Sequence, residues 1–195
     1  MSTSSLTWTE GTTKVAGLDL HIVKGGSGDP LLVLHDEMGQ TAPLRYAEEL
    51  ARDFTLHLPA HPGFGITERL DWIMTMRDLA GWYLRALEEL RLERVNVLGF
   101  SLGGWLAAEM ACQSPQAFGK MALVAPAGIK PPTGEILDMF LIVAKEYLEV
   151  SFLDPNSTLE YPIICPEEAS PEQVELWELA REEACRLSWR PYMYH

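Results

Sequence analysis

Gly99-Phe100-Ser101-Leu102-Gly103 joins two apolar runs of different period. Leu92 to Leu98 (L-E-R-V-N-V-L) reads as a buried strand, and Leu102 to Cys112 (L-G-G-W-L-A-A-E-M-A-C) as a helix. A serine pinned between them, with a glycine two residues away on each side, fits the strand-turn-helix elbow in which a nucleophile is held at a strained backbone position. The glycines have a steric reason, because a Cβ at 99 or 103 would collide across so tight a turn. The helix that follows aims its free N–H groups at the same spot, where an anion is favoured. The plainer reading makes Ser101 only the cap of a helix after a glycine turn. The strand before it and the helix after it favour the nucleophile.

Working outward, Thr12 to Lys24 reads as two short strands turning at Gly17-Leu18-Asp19, followed by a turn over Lys24 to Asp29. Leu31 to Leu34 is apolar on both faces, as a central parallel strand should be. A helix over Pro43 to Arg52, a strand over Phe54 to Leu58 and a helix over Thr75 to Arg91 continue the alternation. Such alternation predicts an α/β fold with a mostly parallel, doubly wound sheet, whose sites lie beyond the carboxyl ends of strands. His35, the stretch Pro59 to Gly65, and Ser101 all fall there. From Pro131 the character changes. Thr133 to Ser151 is expected to be helical, Leu153 to Cys165 irregular, and Ser170-Pro171-Glu172-Gln173 opens a helix to about Leu187 with a capping serine, proline at the first position and a capping-box glutamine. The expected division is a core over residues 1–131 and a helical lid over 132–195.

Composition narrows the function classes. The net charge is −13 over 195 residues. The excess of acids is −4 over residues 1–131 and −9 over 132–195. So acidic a chain repels phosphate backbones and anionic lipid, so neither nucleic acid nor a membrane surface is an expected partner. Three cysteines, Cys112, Cys165 and Cys185, are too few and too scattered for a disulfide framework or a metal knuckle, so no metal or other cofactor is expected. Met1 to Gly11 lacks the basic start and apolar run of a signal peptide, and no run approaches the ~20 residues that span a bilayer. A cytoplasmic protein is the default expectation.

With these motifs together, the chain resembles the α/β-hydrolase fold family. Pro30 to His35 resembles its third strand and His57 to Gly65 its P-x-x-x-G-x-G loop. Gly99 to Gly104 resembles its elbow and Phe118 to Gly128 its sixth strand. The serine separates the chain from relatives with an aspartate nucleophile, the epoxide hydrolases and haloalkane dehalogenases. It is similar to the capped esterases and to the carbon–carbon bond hydrolases of ring-fission products. The resemblance implies a serine hydrolase acting on an ester or activated carbonyl of a small apolar substrate. Ser101 is then the nucleophile, the amides of Leu102 and Glu37 hold the oxyanion, and His35, Phe100, Met139 and Phe140 contact substrate. One motif departs from the family. His35-Asp36-Glu37-Met38-Gly39 stands where His-Gly is usual, and a carboxylate beside a developing oxyanion helps only if it points away.

The family also needs an acid and a histidine after the serine. Ala125 to Gly128 offers no carboxylate, His35 and His61 lie near the site but before the serine, and His195 ends the chain. The expectation is therefore an incomplete hydrolase lacking the last strands of its sheet. The alternative is a catalytically inactive domain that binds a small ligand, or a partner chain or second copy through the bare edge at Met121 to Ala125.

Overall fold

The computed structural model describes residues 7–39 and 42–189. His195 and everything after Trp189 lie outside them. Six strands form one sheet: β1 (Trp8–Val15), β2 (Leu18–Gly26), β3 (Asp29–Leu34), β4 (Phe54–Pro59), β5 (Val95–Phe100) and β6 (Phe118–Val124), in the order β1-β2-β4-β3-β5-β6. The four strands β4-β3-β5-β6 run parallel, and β2 pairs antiparallel with both β1 and β4.

The strand β3 explains the layering. Leu32 and Leu34 enter one buried cluster while Leu31 and Val33 enter another, so alternate side chains fill opposite faces. On the larger face lie α2 (Met76–Glu89), α3 (Leu102–Gln113) and the far end of α6 (Pro171–Ser188), whose Ala180, Ala184 and Leu187 share a core with Phe64, Ile73 and Leu106. On the other face α1 (Arg45–Leu50) covers Val33 and Leu58 with Ala47 and the following Ala51. The last helix of the 132–189 segment is thus part of the main core, while α4 (Ala144–Val150) and α5 (Tyr161–Ile164) build a small cluster of their own around Leu148, Cys165 and Trp177.

Several expected boundaries move: the first strand starts at Trp8, its turn falls at Ala16-Gly17 so that Leu18 and Asp19 join β2, and β2 runs on to Gly26. The strand of the elbow starts at Val95, not Leu92, because Arg91 and Arg94 adopt positive φ (57° and 48°) and turn the chain. The helix expected over Thr133 to Ser151 shrinks to Ala144–Val150. Gly134 at φ 83° unwinds its start, and the Asp138 carboxylate accepts the Phe140 N–H at 2.9 Å, a local bond that competes with helix. Arg181 of α6 then holds the segment by donating to the carbonyls of Met139 (2.9 Å) and Ile142 (2.7 Å). The capping serine behaves as read: Ser170 Oγ accepts the Gln173 N–H at 3.2 Å.

Candidate active site

Three strand ends converge on the site. At the end of β5, Ser101 takes φ 43° and ψ −106°, a conformation that costs on the order of 1–3 kcal/mol. Its surroundings leave no alternative. A Cβ at Gly99 would stand 2.5 Å from the Gly103 carbonyl oxygen, and one at Gly103 would stand 2.3 Å from the Leu34 oxygen and 2.5 Å from that of His35. The backbone is tied on three sides: Ser101 N–H donates to Val124 O (2.9 Å), and Ser101 O accepts from Trp105 (3.0 Å) and Ala127 (3.1 Å). The bend therefore rests on β3, β6 and its own helix at once.

At the end of β3 the chain runs His35 to Gly39, with Gly39 at φ 77° closing the turn and its N–H donating to Asp36 O (3.3 Å). Asp36 Oδ1 accepts the Met38 N–H at 2.9 Å. Glu37 is turned inward and is 5% exposed. Its carboxyl receives the Leu102 N–H (3.3 Å), its own backbone N–H, a hydrogen bond from Ser101, and the hydroxyl of Tyr147 on α4. Burial foremost, with the charge of Asp36 beside it, pushes this carboxyl up to about 7, although the donors favour its charged form. The two amides expected to hold an oxyanion thus meet on one anionic group, and that group is the protein's own.

At the end of β4 lies a buried histidine pair. His35 and His61 stack with centroids 3.7 Å apart. His35 Nε2 accepts the His61 N–H (2.9 Å), and its Nδ1 faces Asp36 O (2.6 Å), which fixes that nitrogen as the protonated one. His61 Nε2 faces the His35 carbonyl (3.3 Å) and its Nδ1 faces the Tyr83 hydroxyl (2.6 Å). Burial lowers His35 to about 4 and His61 well below its usual value, so both rings are neutral struts with every nitrogen engaged. His21 pairs with Glu10 on the outer strands (2.9 Å), and His57 is lowered to about 4 by burial.

Beside Ser101 opens a small, partly open pocket. Met139 and Phe140, expected to contact substrate, line it together with Trp105, Ile136, Tyr147 and Ala184. His35 and Phe100 do not: His35 faces His61, and Phe100 packs edge-on against Tyr46 on the other side of the sheet (5.1 Å). Trp105 escaped notice because it sits one turn beyond Ser101 in a helix that is apolar all round. Tyr147 lay within the apolar 136–148 stretch, but nothing local marked its hydroxyl as a partner of Glu37. Among the described residues no cluster of His, Cys, Asp and Glu is placed to hold a metal, and no helix is long and apolar enough to cross a membrane.

The family model of the alpha/beta hydrolase fold matches residues 27–150, which includes β3, the elbow and β6. The chain belongs to the alpha/beta hydrolase fold family. Among curated proteins it is 31% identical over 106 residues to the dihydrolipoyllysine-residue acetyltransferase component of the acetoin cleaving system of Cupriavidus necator, covering 54% of this chain and 28% of that one. It is also 31% identical over 130 residues to 2-hydroxymuconate semialdehyde hydrolase of Pseudomonas sp. strain CF600, covering 63% and 45%. The match therefore spans less than half of each of these two relatives. The fold is shared with 2-hydroxy-6-oxo-6-phenylhexa-2,4-dienoate hydrolase from Rhodococcus sp. strain RHA1, at a TM-score of 0.72 and 19% identity over 96% of this chain and 75% of that one.

Proposed function

We propose that this chain carries the nucleophile of a serine hydrolase for an ester or activated carbonyl of a small apolar substrate. One observation supports the reading above all others: beside a serine held at φ 43°, the N–H groups of Leu102 and Glu37 both donate to one carboxyl. Two amides that can hold a carboxylate can hold the oxyanion of a tetrahedral intermediate. In the proposed step Ser101 Oγ bonds to the substrate carbonyl carbon, the bond from that carbon to the leaving oxygen breaks as the intermediate collapses, and the proton lost by Ser101 ends on the departing alkoxide. The Glu37 carboxyl gives up the amides to the substrate oxygen. Met139, Phe140 and Trp105 wall the acyl group. The relatives named as hydrolases favour the same class.

A second reading has its own support. The imidazoles of His35 and His61 are fully engaged elsewhere, so neither is free to take the Ser101 proton. A serine without a base is a weak nucleophile. On that reading the cavity binds a small ligand without turning it over. A fluorophosphonate separates the two. Labelling of Ser101 in the full chain, absent in Ser101→Ala, is the expected result. A folded chain that takes no label is a binding domain.

A further inference from the structure

The charge of the cavity has a consequence for what enters it. Among the described residues, Glu37 is the one carboxyl in the lining, which holds no Lys, Arg or His; Ile136, Leu137, Met139 and Phe140 make much of the rest apolar. Arg181 is not in the lining and is committed to the carbonyls of Met139 and Ile142 and to Glu178 (2.8 Å). Arg186 is likewise spent on Glu183 and the Ile73 carbonyl. Nothing in the lining can neutralise an incoming acid.

We propose that Glu37 determines the substrate class of this site: with its carboxyl seated on the Leu102 and Glu37 amides, the cavity admits uncharged acyl groups and turns away carboxylates. The inference rests on the reading of the cavity as an acyl site. Two mechanisms act together. An entering carboxylate would compete for the same amides with a group already tethered there, and it would sit near a like charge that is itself buried, where repulsion is less screened than in bulk water. An uncharged amide or ester must also displace the Glu37 carboxyl from the amides, but it meets no like-charge repulsion and keeps the apolar wall.

The selectivity follows the ionisation of Glu37, so its neighbours matter. From its own loop it faces Asp36, which raises it. From the elbow it faces the Ser101 hydroxyl and Leu102 N–H, and from α4 the Tyr147 hydroxyl. The α6 helix presents Ser188 to the cavity, and burial foremost, with the charge of Asp138, raises the thiol of its Cys185. On α3, Glu109 accepts the Trp105 indole N–H (3.4 Å).

The test is a pair of isosteric probes, hexanamide and hexanoate, titrated into the full ¹⁵N-labelled chain while the Trp105 indole resonance is followed. At pH 8.5, with Glu37 ionised, hexanamide binds at least about tenfold more tightly than hexanoate. At pH 5.5, where Glu37 is protonated but hexanoate stays largely ionised, the preference falls below about threefold. His35 and His61 remain neutral there, so the fold beneath the site is unchanged. Glu37→Gln shows the small preference at both pH values, and the wild-type pH comparison stands by itself if that variant does not fold. Equal binding of the two probes at pH 8.5, a preference indifferent to pH, or no movement of Trp105 with either probe overturns the proposal. The nucleophile is scored separately: selectivity without phosphonate labelling sinks the hydrolase and leaves the selectivity standing.

Discussion

The bend at Ser101 and the loop from His35 to Gly39 each bring one amide to the same carboxyl, yet they are held by different forces. The bend is fixed by backbone contact: carbonyl oxygens of Leu34, His35 and Gly103 stand where any Cβ would have to go. The loop is fixed by side chains, the carboxylates of Asp36 and Glu37 and the imidazole of His35, reaching amides and hydroxyls that include one 110 positions away. Backbone contact does not titrate, whereas side-chain carboxyls do. The difference teaches that one half of this site is a rigid feature of the fold and the other answers to pH.

The strongest way to break that contrast is Gly103→Ala. A methyl 2.3 Å from the Leu34 oxygen has no space to relax into, because strand and helix are both packed. A loss of at least roughly 3 kcal/mol in urea unfolding, or failure to fold, is expected. A loss under about 1 kcal/mol would mean the bend is softer than its contacts imply.

Next in size is the pH response of the loop. The folded Glu37 carboxyl lies at about 7 against an ordinary 4.5, so between these values the folded state binds more protons than the unfolded one. Its contribution is complete below pH 4.5 and is lost as pH rises to 7. Glu37→Gln cannot titrate, so it gains on the wild type across that window by roughly 3 kcal/mol and stays level above it. The buried histidines act with the opposite sign, weakening the fold on acidification below pH 6.5, but they are common to both proteins and cancel in the difference. Paired urea titrations at several pH values check the slope.

Ser101→Gly sharpens the other side of the comparison. Glycine takes φ 43° without the Cβ penalty, so this variant is expected to be about 1 kcal/mol more stable while losing the hydroxyl. The smallest expected effect is Asp36→Asn. The amide oxygen can still accept the Met38 N–H, so stability moves by less than about 0.5 kcal/mol, but loss of the neighbouring charge lowers the Glu37 titration midpoint, read by carboxyl ¹³C shifts.

What could be read from the sequence follows the same division. Gly99, Ser101 and Gly103 announce the bend because its causes lie within five residues, and the two-faced run Leu31 to Leu34 announces a central strand because burial on both sides leaves no polar position. Met139 and Phe140 were legible as cavity wall from their apolarity, although not their conformation, since the turn set by Gly134 and Asp138 overrides the helical spacing. His35 and Glu37 were legible only as positions. Whether Glu37 offers its amide outward or seats its carboxyl on that amide depends on Tyr147, a contact with no local signature.

The central claim is that Ser101 can be acylated at this bend. Incubation of the chain with 4-nitrophenyl butyrate, followed by intact mass and peptide mapping, tests it most directly. The account predicts release of nitrophenolate with one butyryl group on the peptide containing Gly99 to Gly103, lost in Ser101→Ala. A folded chain with no adduct, or with the same adduct in Ser101→Ala, would contradict it.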